Sequence, residues 1–324
     1  MRIITVLTMN ISTFLPLWLI FCSLLAYFIP HAFTSIQGLT EFCLGLIFFL
    51  MGMSLSTEQL LKVVKQPKNA FIGFLLKWTL TVSVSLVIAF LFMNKLPEIA
   101  AGIILAGTVP SGTSANLYTF IAGGEVAVSL TMATLDTVVS PLLTPTLMQI
   151  TVGQIIPIDF WSLFFNIFVV VFVPLFLGLL MQWVLPKIVG KVKPHTSIFS
   201  QLALFVIVLA VVSKAQPTLQ ENVSFLPLIF IAVAIQVVVP MIAGYMIARK
   251  LLRIEIEHAI AIGFHTGICN TALSATLATE HLTSLAAVPS VANMIVNLTV
   301  GAIVAKYFEQ NYLNKKVSNS ESIE

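Results

Sequence analysis

The sequence predicts an all-α membrane protein: ten transmembrane helices in two inverted five-helix repeats, with the fourth and ninth helices broken. Composition comes first. Of 324 residues, 58% are hydrophobic and 9% charged, and the mean hydropathy is +1.03, which excludes an ordinary soluble domain. Second, apolar runs of about 20 residues, the length that crosses a bilayer, recur at residues 12–30, 36–55, 70–93, 98–122, 125–151, 160–185, 197–214, 223–248, 257–280 and 286–308. Third, runs four and nine are interrupted alike, by Gly107-Thr-Val-Pro-Ser-Gly-Thr-Ser-Ala-Asn116 and by Gly263-Phe-His-Thr-Gly-Ile-Cys-Asn-Thr271.

Along the chain, the apolar stretch near the N-terminus reads as span one and not as a cleaved leader. Span two carries Glu41 near its end, most simply as an interfacial residue. Span three holds Lys77, eight residues inside. Span four holds the first break, and span five holds Asp136 just before Ser140-Pro141. Spans six to eight carry no acidic residue at mid-depth, span nine holds His265 and the second break, and span ten holds Asn293 and Asn297 one turn apart. Residues 310–324 read as a disordered polar tail. Lys62, Lys65, Lys68, Lys187, Lys191, Lys193, Arg249, Lys250 and Arg253 fall in loops on one side, with Arg2, Lys315 and Lys316. The opposite loops hold Lys95 and Lys214. By the positive-inside rule both termini are cytoplasmic.

The repeat divides the chain into 1–156 and 157–309. Phe14-Leu-Pro-Leu17 recurs as Phe172-Val-Pro-Leu175 at an offset of 158, Lys77 aligns with Gln236 at 159, and Gly112 with Gly267 at 155. Five spans per repeat is odd, so the second copy is inverted, the plan of many secondary transporters. Chance likeness between apolar segments is the plain alternative.

A broken helix at membrane depth is tolerated only where its backbone is buried in protein or lines a cavity. Each break leaves a half-helix N-terminus with free N–H groups and a positive dipole end, which suits an anion without a dedicated arginine. Candidate binding groups are Gly112, Thr113, Ser114 and Asn116 at the first break, Gly267, Asn270 and Thr271 at the second, and Asn293 and Asn297. Close helix packing by small residues is the alternative for the breaks, and interhelical hydrogen bonding for the two asparagines. Charged residues inside spans are costly and are functional candidates by default. Lys77 alternatively snorkels to the interface, Asp136 alternatively bonds a neighbouring helix, and His265 alternatively is a satisfied structural imidazole.

The other function classes are weaker. The net charge of +3 is spread over loops and forms no patch for nucleic acid. Cys22, Cys43 and Cys269 show no metal spacing and no disulfide framework, and no metal or cofactor is expected. An intramembrane enzyme would use Ser111 as nucleophile and His265 as base, but no acid is evident to orient His265. The enzyme would also leave the matched second break unexplained, and the closed, inverted-repeat plan argues against a passive channel. Nothing in the sequence sets an oligomeric state.

The sequence resembles the bile acid:sodium symporter family over nearly its whole length. The likeness rests on Gly112-Thr-Ser-Ala-Asn116, on Gly124-Glu-Val-Ala-Val-Ser-Leu-Thr131 through Ser140-Pro-Leu-Leu-Thr-Pro145, and on Gly267-Ile-Cys-Asn-Thr-Ala-Leu273, with Gln66-Pro67 before span three. The resemblance implies a panel domain of spans one, two, six and seven, and a core domain of the other six in which spans four and nine cross. It also implies a bacterial inner-membrane transporter of organic anions, including bile acids, pantoate and other carboxylates, with sodium as the usual coupling ion. The implied sodium ligands do not carry over: Lys77, Ala115, Ala133, His265 and Cys269 stand where oxygen-bearing residues are common, while Asn116 and Ser129 match. The reading is therefore that Lys77 stands where an ion would bind, with Asp136 as counter-charge, Lys77 and His265 as proton carriers, and H+ or no ion as the coupling partner; the alternative is a sodium-coupled symporter of the same fold that holds the ion by backbone carbonyls and Asn116.

Overall fold

The computed structural model describes residues 14–54, 67–92, 95–153 and 156–313. Arg2, Lys62, Lys65, Lys315 and Lys316 lie outside the described residues, as does the tail beyond 313. Within them the chain is helical, and seven helical runs are long and apolar enough to cross a membrane. This is a multi-pass membrane protein. Large apolar side chains face outward, among them Phe90 at 74% and Trp183 at 87% exposure, as a lipid-facing surface requires.

In chain order the helices are α1 (Leu15–Phe28), a 3₁₀ stretch Pro30–Leu39 leading into α2 (Thr40–Ser54), and α3 (Pro67–Leu76), joined by a π-helical turn Lys77–Thr81 to α4 (Val82–Phe92). Next come α5 (Pro97–Thr108), α6 (Ser114–Ile121), α7 (Val126–Thr151), α8 (Phe160–Ile167) and α9 (Val173–Val184). The short α10 (Pro186–Val192) precedes α11 (Thr196–Glu221), α12 (Leu226–Met246), α13 (Ile256–Gly267), α14 (Thr271–His281) and α15 (Val288–Phe308). Gln310 to Leu313 continue the last helix as a π-helical turn, where the sequence reading placed the start of a disordered tail. Phe308 and Tyr312 anchor the extension by packing on the cluster that holds Phe264 and Ile268.

The helix starts follow local chemistry. Proline opens α5 and sits in the first turn of α15, where its missing N–H costs nothing. Glu125 caps α7 by accepting from Ala127 N–H at 3.1 Å, and Asp159 caps α8 by accepting from Trp161 and Ser162 N–H at 3.0 and 3.1 Å.

The two breaks have different causes. α5 ends because Pro110 forces Val109 out of the helical region, to φ −86° and ψ 161°. α13 ends at Gly267 with no proline nearby. Ile268 turns extended at φ −102° and ψ 109°, and Asn270 starts the next helix by accepting from Leu273 N–H at 3.1 Å.

α2 lies on α9 and α11, and α11 also covers α1. α12 packs on α13 and α15, α4 on α5, and α13 touches α6 and α7. The α2–α9 contact is closed by glycines: a Cβ on Gly52 would come within 3.1 Å of the Gly178 Cα. Replacing Gly52 by leucine is expected to cost about 1–3 kcal/mol through overpacking. A lowered unfolding temperature in detergent would record it. Gly38→Ala, with nothing within 4 Å of the added Cβ, should leave that temperature unchanged.

Candidate functional site

The two interrupted segments lie against each other. Ser111 and Cys269 form an antiparallel bridge. Gly112 N–H donates to Ile268 O at 3.0 Å, and Asn270 N–H donates to Pro110 O at 2.8 Å. These bonds satisfy backbone groups that the helices have released, which the bilayer interior demands. A glycine is needed at 112, because a Cβ there would stand 2.8 Å from Cys269 O.

On one side of this crossing is a cavity of about 410 Å³. Gly112, Thr113, Ser114, Asn270, Thr271 and Asn297 are in its wall, with Cys269 between them. The first turns of α6 and α14 therefore both face the same space; part of their N–H groups is already bonded, Ala115 to Gly112 O, Asn116 to Thr113 O, Thr271 to Cys269 O and Leu273 to Asn270 Oδ1, and the dipole ends remain. Ile47, Phe48 and Leu204 add apolar lining, and Ser54, Thr196 and Gln201 add polar lining. Two positive dipole ends over an apolar chamber suit a carboxylate with a hydrocarbon body.

The remaining expected residues form a second, buried cluster behind the crossing. The Lys77 ammonium donates to Val109 O at 2.5 Å and lies 3.5 Å from the centroid of the Trp78 ring. Val109 caps the carbonyl end of α5, where a cation is favoured. Trp78 also donates through Nε1–H to Asp136 Oδ1 at 2.9 Å. One indole thus touches both buried charges. Asp136 Oδ2 accepts from the Ser111 N–H at 3.2 Å and from the Ser111 hydroxyl. His265 Nδ1 is 2.8 Å from Ser111 Oγ, and its Nε2 is 2.7 Å from Ser129 Oγ. Ser129 donates to Asn116 Oδ1 at 2.7 Å.

So the expected residues divide. Gly112, Thr113, Ser114, Asn270, Thr271, Asn297 and Cys269 reach the cavity. Asn116, Ser129, Asp136, His265 and Lys77 do not, and interlock behind it. Gly267 packs on α12, where a Cβ would meet Met241 Cβ at 2.6 Å and Val237 O at 2.7 Å. Asn293 donates to Gln236 Oε1 at 3.0 Å and accepts from the Cys269 thiol at 3.6 Å. Lys77 does not snorkel; its ammonium is buried and bonded within the protein.

An acid does touch the Ser111–His265 pair, but in the wrong order for hydrolysis. The serine stands between Asp136 and the imidazole, and the second imidazole nitrogen faces Ser129. A catalytic triad needs the histidine in the middle. Sequence reasoning missed Trp78 and the carbonyl of Val109. The second was findable, since Val109 precedes Pro110 and must leave the helix; the first carried no signal beyond adjacency to Lys77. It also missed Thr81, whose hydroxyl donates to Thr266 O at 2.6 Å next to the second break.

The site can be tested as a coupled unit. Lys77→Met is expected to destabilise the fold by about 1–3 kcal/mol, because it leaves the buried carbonyl of Val109 without its donor and removes the cation over Trp78. The double variant Lys77→Met/Asp136→Leu should cost less than the sum of the two single changes. Chemical denaturation in detergent measures all three.

Comparison with known proteins adds the following. The sequence profile described as the Sodium Bile acid symporter family matches residues 41–222. The "Uncharacterized sodium-dependent transporter YocS" of Bacillus subtilis (strain 168) is 31% identical over 306 residues, covering 94% of this chain and 94% of that protein. The "Probable sodium/metabolite cotransporter BASS1, chloroplastic" of Arabidopsis thaliana is 29% identical over 306 residues, covering 91% of this chain and 73% of the relative. The "Probable sodium/metabolite cotransporter BASS2, chloroplastic" of Oryza sativa subsp. japonica is 26% identical over 305 residues, covering 94% and 72% respectively. The profile and these relatives are described as transporters, not as enzymes.

Proposed function

The chain belongs to the Sodium Bile acid symporter family, and on that premise we propose that it is a secondary transporter of a small organic anion. The solute is a carboxylate or a bile-acid-like acid, carried across the bacterial cell membrane by alternating access. The observation that carries this is the pair of half-helix N-termini facing one cavity, the arrangement that transporters use for anionic groups. The ten spans in two inverted repeats, the panel and core domains, and cytoplasmic termini are part of the proposal. The matched offsets of the two halves and the one-sided basic loops support them.

Transport is proton-coupled or uncoupled. A coupling cation in such folds is held by unwound carbonyls and half-helix carbonyl ends, and the Lys77 ammonium already takes the Val109 carbonyl. At 4 Å a second unit charge would meet a repulsion of about 4 kcal/mol at an effective dielectric of 20, or about three powers of ten in affinity. Sodium coupling is the second reading, favoured by the names of the relatives, which are called sodium-dependent or sodium/metabolite transporters.

Uptake into proteoliposomes decides between them. A carboxylate is first chosen by its thermal-shift effect on the purified protein. Its uptake is expected to proceed without sodium and to respond to a pH gradient, or to neither gradient. Uptake that requires a sodium gradient and ignores pH would establish the second reading instead. Absence of carboxylate uptake under any gradient would remove the anion-transport proposal.

A further inference from the structure

A second cavity, of about 390 Å³, lies between α1 and α11 on one side and α12 and α15 on the other. Leu24 and Phe28 of α1, Leu219 of α11, Phe230 of α12, and Val291 and Ile295 of α15 are in its wall. Among the described residues that line it, only Ser23 and Tyr27 carry a polar side chain, and the Ser23 hydroxyl donates to Leu19 O at 2.8 Å. A water molecule needs several polar partners and finds no such set here. The floor is buried, with Val211 and Ala215 at 1% and Ala292 at 3% exposure, whereas the rim is open, with Leu24 at 51% and Phe28 at 74%. The recess therefore opens onto the hydrocarbon that surrounds a membrane-spanning chain.

Its dimensions point to the occupant. From Ile20 to Phe28 the wall follows α1, a rise of about 12 Å, close to half of the roughly 30 Å hydrocarbon core. A volume of about 390 Å³ spread over about 12 Å leaves a mean cross-section of about 30 Å², too narrow for an α-helix, which is about 10–12 Å across with its side chains. An unbranched chain of methylenes fits both the width and the depth. Phe28, Leu219, Val223 and Val288 stand at the helix ends away from the basic loops. The recess thus lies in the outer half of the bilayer, with Tyr27 at the level where tyrosines meet headgroups.

The recess shares two helices with the solute cavity. Leu15 and Pro16 of α1 and Met294 and Leu298 of α15 line the solute cavity, while Ile20 and Leu24 of α1 and Val291 and Ile295 of α15 line the recess. α1 and α11 belong to the proposed panel domain, and α12 and α15 to the proposed core domain, so the recess spans the seam along which alternating access must slide. We propose that the recess is a lipid site: one acyl chain of an outer-leaflet phospholipid lies in it, with the headgroup level with Tyr27, and while in place holds the two domains in this arrangement. A ligand shifts a protein toward the state that offers it the better site. The site stands on the recess alone; the hold on the motion rests on the transporter reading above.

Photo-crosslinking of the full chain tests the site. The protein is placed in liposomes of phosphatidylethanolamine and phosphatidylglycerol that include a phosphatidylethanolamine with a diazirine on one acyl chain, and the adducts are mapped by mass spectrometry. Adducts on the floor residues Val211 and Ala292 are expected, because lipid outside the recess touches neither. Ala215→Leu fills the floor and should abolish them while leaving adducts on the exposed Phe90. Ala292→Leu, read at Val211, gives the same answer if the first variant does not fold. Adducts confined to exposed side chains, or floor adducts that survive both substitutions, would overturn the lipid site. Floor adducts displaced by unlabelled palmitate would overturn the phospholipid assignment in favour of a free fatty acid. The hold on the motion is read from uptake of the carboxylate chosen above, in straight-chain and in methyl-branched phospholipid. Uptake is expected to be slower with straight chains in the unaltered protein, and equal in both lipids for Ala215→Leu. Equal rates in the unaltered protein would overturn the hold and leave the site; absence of uptake in both lipids would overturn the transporter reading and the hold with it, again leaving the site.

Discussion

The contact between the two interrupted segments is the constraint on which the site depends. Each segment gives up helical hydrogen bonds in a region where water cannot replace them. Each recovers part of the loss from the other: Gly112 N–H on Ile268 O, and Asn270 N–H on Pro110 O. Neither break is tolerable alone at that depth. Together they turn two N-terminal ends toward one cavity and leave a carbonyl end, that of α5, directed at Lys77. The anion-facing and cation-facing parts of the site are consequences of one backbone arrangement.

The two faces of the crossing are chemically separate. The polar part of the cavity side is built from backbone, hydroxyls and amides, with no charged side chain among the described residues that line it. The opposite side buries Lys77 and Asp136 around one indole and extends through Ser111 to His265, Ser129 and Asn116. Ser111 belongs to both, since its backbone pairs with Cys269 while its side chain serves Asp136. A change of charge behind the crossing therefore acts on the segment that carries the cavity wall. Gln236, at an offset of 159 from Lys77, is neutral and donates to Ser85 Oγ and Ile103 O, each at 2.7 Å. The position 159 residues after the buried lysine thus carries an amide and no charge.

Much of the fold was legible because its determinants are local. A glycine-and-proline interruption ends a helix wherever it stands, so the break after Thr108 could be placed from Pro110 and Gly112 alone. The break after Gly267 was legible from its likeness to the first. Gly267 itself was misleading. Its residue type fits a solute contact as well as a close helix approach, and only the position of Met241 and Val237 distinguishes the two.

What the amino-acid order determined by itself is the membrane setting, the helices, the two interruptions, and the presence of a lysine and an aspartate too deep to be solvated. These follow from transfer energies and backbone sterics that act over a few neighbouring residues. What only the tertiary structure decided is which of these groups meet. Lys77 could have snorkelled; instead the carbonyl of Val109, 32 positions away, receives its ammonium. Asn297 and Asn293 read as equivalents in the sequence, yet one has both amide atoms bonded and the other has a bare oxygen beside the cavity. Pairing of buried polar atoms is settled by contacts between distant segments, and the periodicity of a single helix carries no trace of it.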